Sequence, residues 1–347
     1  MKRTALTAVI LAAVLVGCGS DENPVGVPDV RYWDIAWSSP DTVLTDLEML
    51  GESSGWACGY RFNAAAFTYD GLIYRYDGTN WKVALFLPGA VGARLMAIDF
   101  LSDTDGWALG NRESEGGGIS GPVVLHYDGE AWAEVPTEGL NGAHLELLAA
   151  VGENDVWATD GLSAFHYDGL VWVPYPLSIG GPVNYWVFPD ANAGWAVNYD
   201  SGYCYKWDRE FGMWLLESQP LYNATAFYFN ADGSGVYADH EDIPPVTERA
   251  NIYEREAGPE PSYEMIYATS QSRILTACDF FPPDYYFFAG PNSAFEVDAG
   301  EVRPLGYVPL GDLGIVRRIS ITKPGEVWGI MGTSLTEGPS FIVHKTD

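Results

Sequence analysis

Residues 94–110, RLMAIDFLSDTDGWALG, and residues 123–136, VVLHYDGEAWAEVP, hold the pattern on which the chain is built. Short apolar runs end at Asp-Gly, Gly or Pro, which marks short strands joined by tight turns. The spacing predicts four strands, at 95–100, 106–110, 123–127 and 131–135. The Asp128-Gly129 pair suits a tight hairpin between the last two, because such turns need a positive φ. Four antiparallel strands in succession make one propeller blade.

The same unit recurs along the chain. Its second strand appears as Gly55-Trp56-Ala57, Gly106-Trp107-Ala108, Val156-Trp157-Ala158 and Gly194-Trp195-Ala196. It fades to Val236-Tyr237-Ala238 and Tyr285-Tyr286-Phe287, then returns as Val327-Trp328-Gly329. A hairpin motif follows as YDGTNW at 76–81, YDGEAW at 127–132, YDGLVW at 167–172 and a stretched WDREFGMW at 207–214. First strands are expected near 43–50, 94–100, 144–151, 183–188, 223–229, 273–280 and 315–321. The last unit ends at Phe341–Lys345 on a third-strand pattern, and Tyr32–Trp37 supplies the missing fourth strand. An open terminal blade would leave exposed sheet edges. The expected fold is therefore all-β: a seven-bladed β-propeller of four-stranded antiparallel blades, closed by an N-terminal strand and spanning 30–347. Degeneracy of the fifth and sixth repeats leaves six or eight blades open.

Residues 1–17 carry Lys2 and Arg3, then an apolar run from Ala5 to Val16, as a signal peptide does. The ending Leu15-Val16-Gly17-Cys18 resembles the bacterial lipobox. That resemblance implies cleavage before Cys18, lipidation of its sulfur and acylation of the new amine. Gly19 in place of Asp implies the outer membrane in a two-membrane cell. Residues 18–29 are polar and rich in Pro and Gly, so they read as a flexible tether. The repeats resemble bacterial secreted propellers with Asp-box-like (BNR-type) or kelch-like repeats. They are also similar to the photosystem II assembly-factor propellers. Here, however, Gly directly follows the Asp, and the WD signature is absent.

Without Lys2 and Arg3 the mature chain has 16 basic against 47 acidic residues, a net charge of −31. That argues against nucleic acid and anionic lipid surfaces as partners. Cys58, Cys204 and Cys278 fall inside expected strands, and no disulfide is assigned. His126, His166 and His344 share one slot of the repeat with Arg75, Lys206 and Glu296, so they read as a structural position rather than metal ligands. No cofactor, metal or catalytic residue is assigned.

Whatever breaks the repeat lies between the second and third strands. The interval from the second-strand Trp to the third-strand aromatic is ten residues in repeat three (Trp157 to Tyr167) but twenty in repeats one and two. Repeat one brings Tyr60, Arg61, Phe62, Phe67 and Tyr69 there; repeat two brings the Gly-rich stretch 111–121. Counting back to the first strands places Arg94, His144, Arg273 and the Arg317-Arg318 pair around the channel mouth on that face. A cationic mouth could hold an acidic sugar or a partner's carboxylate. The sequence thus reads as a lipid-anchored envelope propeller, monomeric, that binds or scaffolds a protein or glycan partner. The alternatives are a glycan-active enzyme of the sialidase or lyase type, and a structural surface lipoprotein without a small ligand. Catalysis would require convergent carboxylates with displaced pKa values at the axis.

Overall fold

The computed structural model describes residues 33–346, apart from 90–91, 114–117, 178–181, 199–200, 218–220, 244–245, 259–260, 273–274, 291–292, 306–314 and 334–338. The signal peptide, Cys18, the tether and Arg273 lie outside the described residues. The chain begins with β1 (Trp33–Ser39). Blade 1 is β2 (Thr42–Gly51), β3 (Ser54–Asn63), β4 (Thr68–Tyr76) and β5 (Trp81–Leu87). Blade 2 is β6 (Arg94–Ser102), β7 (Asp105–Glu113), β8 (Ile119–Tyr127) and β9 (Trp132–Glu134). Blade 3 is β10 (Leu147–Gly152), β11 (Asp155–Thr159), β12 (Ser163–Tyr167) and β13 (Trp172–Pro176). Blade 4 is β14 (Tyr185–Asp190), β15 (Ala193–Val197), β16 (Cys204–Asp208) and β17 (Met213–Leu216). Blade 5 is β18 (Ala224–Phe229), β19 (Gly235–Ile243), β20 (Val246–Glu256) and β21 (Ser262–Ser272). Blade 6 is β22 (Ala277–Phe281), β23 (Tyr285–Gly290), β24 (Ser293–Asp298) and β25 (Glu301–Leu305). Blade 7 is β26 (Ile315–Lys323), β27 (Glu326–Gly332) and β28 (Ser340–Lys345), completed by β1.

Seven four-stranded antiparallel sheets result. The first strand of each blade touches the first strand of the next, and β26 touches β2, so the sheets form a closed ring. Closure rests on β1, which pairs with β28 from Trp33↔Lys345 to Ser39↔Ser340. Its two Trp rings reach opposite ways: Trp33 packs edge-on to Phe287 of blade 6 at 5.9 Å, and Trp37 to Tyr74 of blade 1 at 4.8 Å.

Turn chemistry explains the Asp-Gly repeats. Asp77, Asp128 and Asp168 each accept two backbone N–H bonds, from the second and third residues onward. The following glycines, Gly78, Gly129 and Gly169, have φ of 85–92°, a region costly for any residue with a Cβ. Between blades the repeated aromatics interlock. Trp56 of blade 1 meets Phe100, Tyr127 and Trp132 of blade 2 at 5.0, 4.9 and 5.7 Å. Trp157 meets Phe188 and Trp207 of blade 4 at 5.4 and 4.6 Å. Trp328 meets Tyr76 and Trp81 of blade 1 at 4.9 and 6.0 Å. Each large ring thus buries its area against the next blade.

The shared His slot is a second repeated device. His126, His166 and His344 each lie on their blade's Trp (107, 157, 328) and bond a carboxylate (Asp105, Asp155, Glu326) at 2.8–2.9 Å. In the same slot Arg75 lies over Trp56 and Lys206 over Trp195. These residues sit in separate blades, and among the described residues no His, Cys, Asp and Glu cluster has metal-binding geometry. Cys58, Cys204 and Cys278 are free thiols whose pKa values burial pushes up.

Two boundaries differ from the sequence reading. β10 begins at Leu147 rather than near 144, and β22 at Ala277 rather than near 273. The approach to β10 is tied instead to blade 2, where the Asn111 amide donates to the Leu145 carbonyl and accepts from the Leu145 N–H. The insertions also differ in kind: they are mostly extra rungs of ladder rather than loop. β3–β4 pairing runs out to Asn63↔Thr68, β7–β8 to Glu113↔Ile119 and β19–β20 to Ile243↔Val246.

Candidate functional site

Extra rungs on blade 1 lift a set of aromatic residues above the ring. Strand alternation puts Tyr60 and Phe62 on one face of the hairpin, with Tyr69 across from Phe62. Their rings meet edge to face, Tyr60–Tyr69 at 5.2 Å and Phe62–Tyr69 at 5.6 Å, with Phe67 6.4 Å from Phe62. Arg61 and Asp70 pair on the other face at 3.0 Å. Asp70 is buried and also accepts from Asn63 Nδ2 at 2.8 Å and from the Gly89 N–H at 2.7 Å. Burial opposes its charge, but these three bonds outweigh burial and hold its pKa below the usual range.

Arg94 of blade 2 joins the two hairpins. Its guanidinium lies 4.8 Å from the Tyr60 ring and 5.1 Å from the Tyr69 ring. It donates to the Tyr60 hydroxyl at 3.1 Å and pairs with Glu113 at 3.1 Å. The blade 1 crest and the extended β7 are thereby fixed to each other. Beyond it, Arg61 lies over the Phe86 ring at 5.4 Å. What remains accessible is apolar: Phe62 is 55% exposed, Phe67 72% and Phe86 45%. Phe67 also has φ of 52°, a left-handed conformation costly for a bulky side chain.

The mouth cations fare differently from one another. His144 sits before β10 and lies 3.6 Å from Glu146. Arg317 and Arg318 diverge because a β-bulge falls between Val316 and Arg318. Arg317 turns toward blade 1 and donates to the Leu44 carbonyl at 2.7 Å and the Ser340 hydroxyl at 2.8 Å. Burial lowers its pKa, and Tyr60 acts in the opposite sense. Arg318 pairs with Asp46 at 2.8 Å. Arg94, His144 and Arg318 thus each have a carboxylate of their own chain, and the mouth is not an uncompensated cationic ring.

Phe86, Asp70 and Glu113 complete the crest, and nothing in the repeat pattern pointed to them. The same holds for the carboxylates of the innermost strands. Asp46 accepts from Leu47 and from Ile98 of blade 2, both at 3.0 Å. Asp99 accepts from Phe100 at 2.9 Å and from Ala150 of blade 3 at 2.7 Å. Asp279 accepts from Ile321 of blade 7 at 2.8 Å, and Ser320 from Met49 of blade 1 at 3.0 Å. Burial raises the pKa of Asp46, raises Asp99 and Asp279 to about 6, and lifts Glu48 well above the carboxylate range. Displaced carboxylates do therefore converge here, but they serve the backbone of the neighbouring blade. Glu48 and Asp99 are hydrogen-bonded to each other. The carboxyl pair of a glycosidase stands ~5 Å or more apart, leaving room for the sugar.

The sequence matches no protein-family model and no curated protein. Solved structures do resemble the fold. A YCF48 structure described as bound to D1 peptide aligns at TM-score 0.65 with 14% identity, over 93% of this chain and 100% of that one. YCF48 from Cyanidioschyzon merolae aligns at 0.64 with 13% identity, over 91% and 99%. The WD40 repeats of RRP9 align at 0.64 with 10% identity, over 92% and 99%. At these identities the likeness is one of fold: the chain is built as these propellers are.

Proposed function

We propose that this chain is a protein-binding propeller, held at a membrane by a lipid on Cys18, whose partner docks on the crest of blades 1 and 2. The observation that carries the reading is the exposure of Phe62, Phe67 and Phe86 on a rigid, extended hairpin. Folding gains nothing from presenting such rings to water, whereas interfaces take aromatic residues as anchors. The left-handed backbone at Phe67 is the kind of strain that collects at binding sites. Arg61 and Arg94 flank the rings, so a partner segment with an apolar side chain beside a carboxylate fits best. The peptide in the YCF48 complex is consistent with such a mode on this fold.

A photo-crosslinking residue at position 67 of the mature chain tests this in membranes of the producing cell. A discrete adduct that disappears in Phe62→Ser supports the site. The same adduct at the same yield in that variant sinks it. The anchor is tested separately: Cys18→Ser should take up no labelled fatty acid and should remain uncleaved.

A further inference from the structure

We propose that Glu48 and Asp99 form a proton-operated fastener between blades 1 and 2, tight when they share a proton and slack when both are ionised. The two come from adjacent innermost strands, β2 and β6. They are hydrogen-bonded to each other, which requires one of them to carry a proton. Asp99 is at the same time the acceptor for the Ala150 N–H at 2.7 Å. One carboxyl pair therefore links three consecutive blades at the axis.

The surroundings decide the sign. Asp46, on β2, adds negative charge to both groups. Asp279 on β22 and Tyr228 on β18 face the same channel and add no cation. Arg318 on β26 is the cation that faces the cluster, and its guanidinium is bonded to Asp46. From β10 the facing group is the Ala150 amide, which does not titrate. Removing the shared proton would set two unscreened carboxylates against each other beside a third. Burial, together with the neighbouring carboxylates, raises both pKa values, Asp99 to about 6 and Glu48 further. The contribution is therefore complete below the ordinary carboxylate range and is lost as pH rises through 6 and above.

The mature chain in detergent serves as the sample. Its melting temperature should fall by on the order of 3 °C between pH 5.5 and pH 8. Glu48→Gln keeps a donor to Asp99 but cannot ionise, so it should remove at least half of that fall. The remainder belongs to Asp279 and the five histidines. A variant that retains the full wild-type fall overturns the fastener. If Glu48→Gln does not fold, infrared difference spectra of Asp279→Asn take its place. A protonated-carboxyl band present at pH 5.5 and gone at pH 8 supports the proposal, and absence of such a band overturns it.

Discussion

Blade 1 has two hairpins of opposite character. The β4–β5 hairpin is closed by Asp77, whose carboxylate is bonded by the turn's own backbone, with Gly78 supplying the positive φ. Lys82 pairs with the same carboxylate, and nothing is left over. The β3–β4 hairpin is also anchored, through Asn63 and Asp70, yet it ends in exposed Phe62 and in Phe67 at φ 52°. At the first turn every residue has a folding reason. At the second, the anchoring residues have one and the rings they carry do not. Where local rules are satisfied throughout, structure is explanation enough; where a rigid support holds up an unsatisfied surface, recognition is the better account.

Removing the closing strand should have the largest effect. A chain lacking 33–39 loses the Trp33 and Trp37 packing and bares the outer edge of β28. A loss on the order of 5 kcal/mol or more is expected. It should appear in thermal unfolding as a broad, early transition; an unchanged curve would show that blade 7 needs no fourth strand.

Next come paired truncations across the comparison. Trp56→Ala empties the seam between blades 1 and 2 and should cost about 3–5 kcal/mol in denaturant unfolding. Phe62→Ala should stay within about 0.5 kcal/mol of wild type. Equal losses would mean that the crest is part of the core.

The smallest effect is the most telling one. Phe67→Gly relieves the left-handed strain and should raise stability by up to about 1 kcal/mol while weakening the crosslinked complex. A fall in stability would show that the ring packs at home and would remove the strain argument.

Much of this was legible in the chain, and for particular reasons. Trp56, Trp107, Trp157, Trp195 and Trp328 recur because every seam needs the same large ring, so the blade count follows from counting them. Tyr60 to Tyr69 stood out because that stretch breaks the repeat. Phe86 was hidden because it lies on an ordinary fourth strand and joins the crest only through Arg61. The mouth cations were placed by counting residues back from the aromatic. That count ignores the bulge that sends Arg317 and Arg318 in different directions. Asp99 gave one faint signal, a charge in the middle of the apolar run LMAIDF.

Strand periodicity, turn residues and repeated aromatics are local properties, and a repeated fold needs little more than local agreement. The sequence by itself therefore determined the blades, their number and the closing strand at Trp33–Ser39. Which carboxylate meets which cation depends on residues tens to hundreds of positions apart. Arg318 with Asp46, Glu48 with Asp99, and Arg94 with Glu113 across Tyr60 are all products of ring closure. Charge interactions act through space and burial rather than along the chain, so only the assembled ring could decide them.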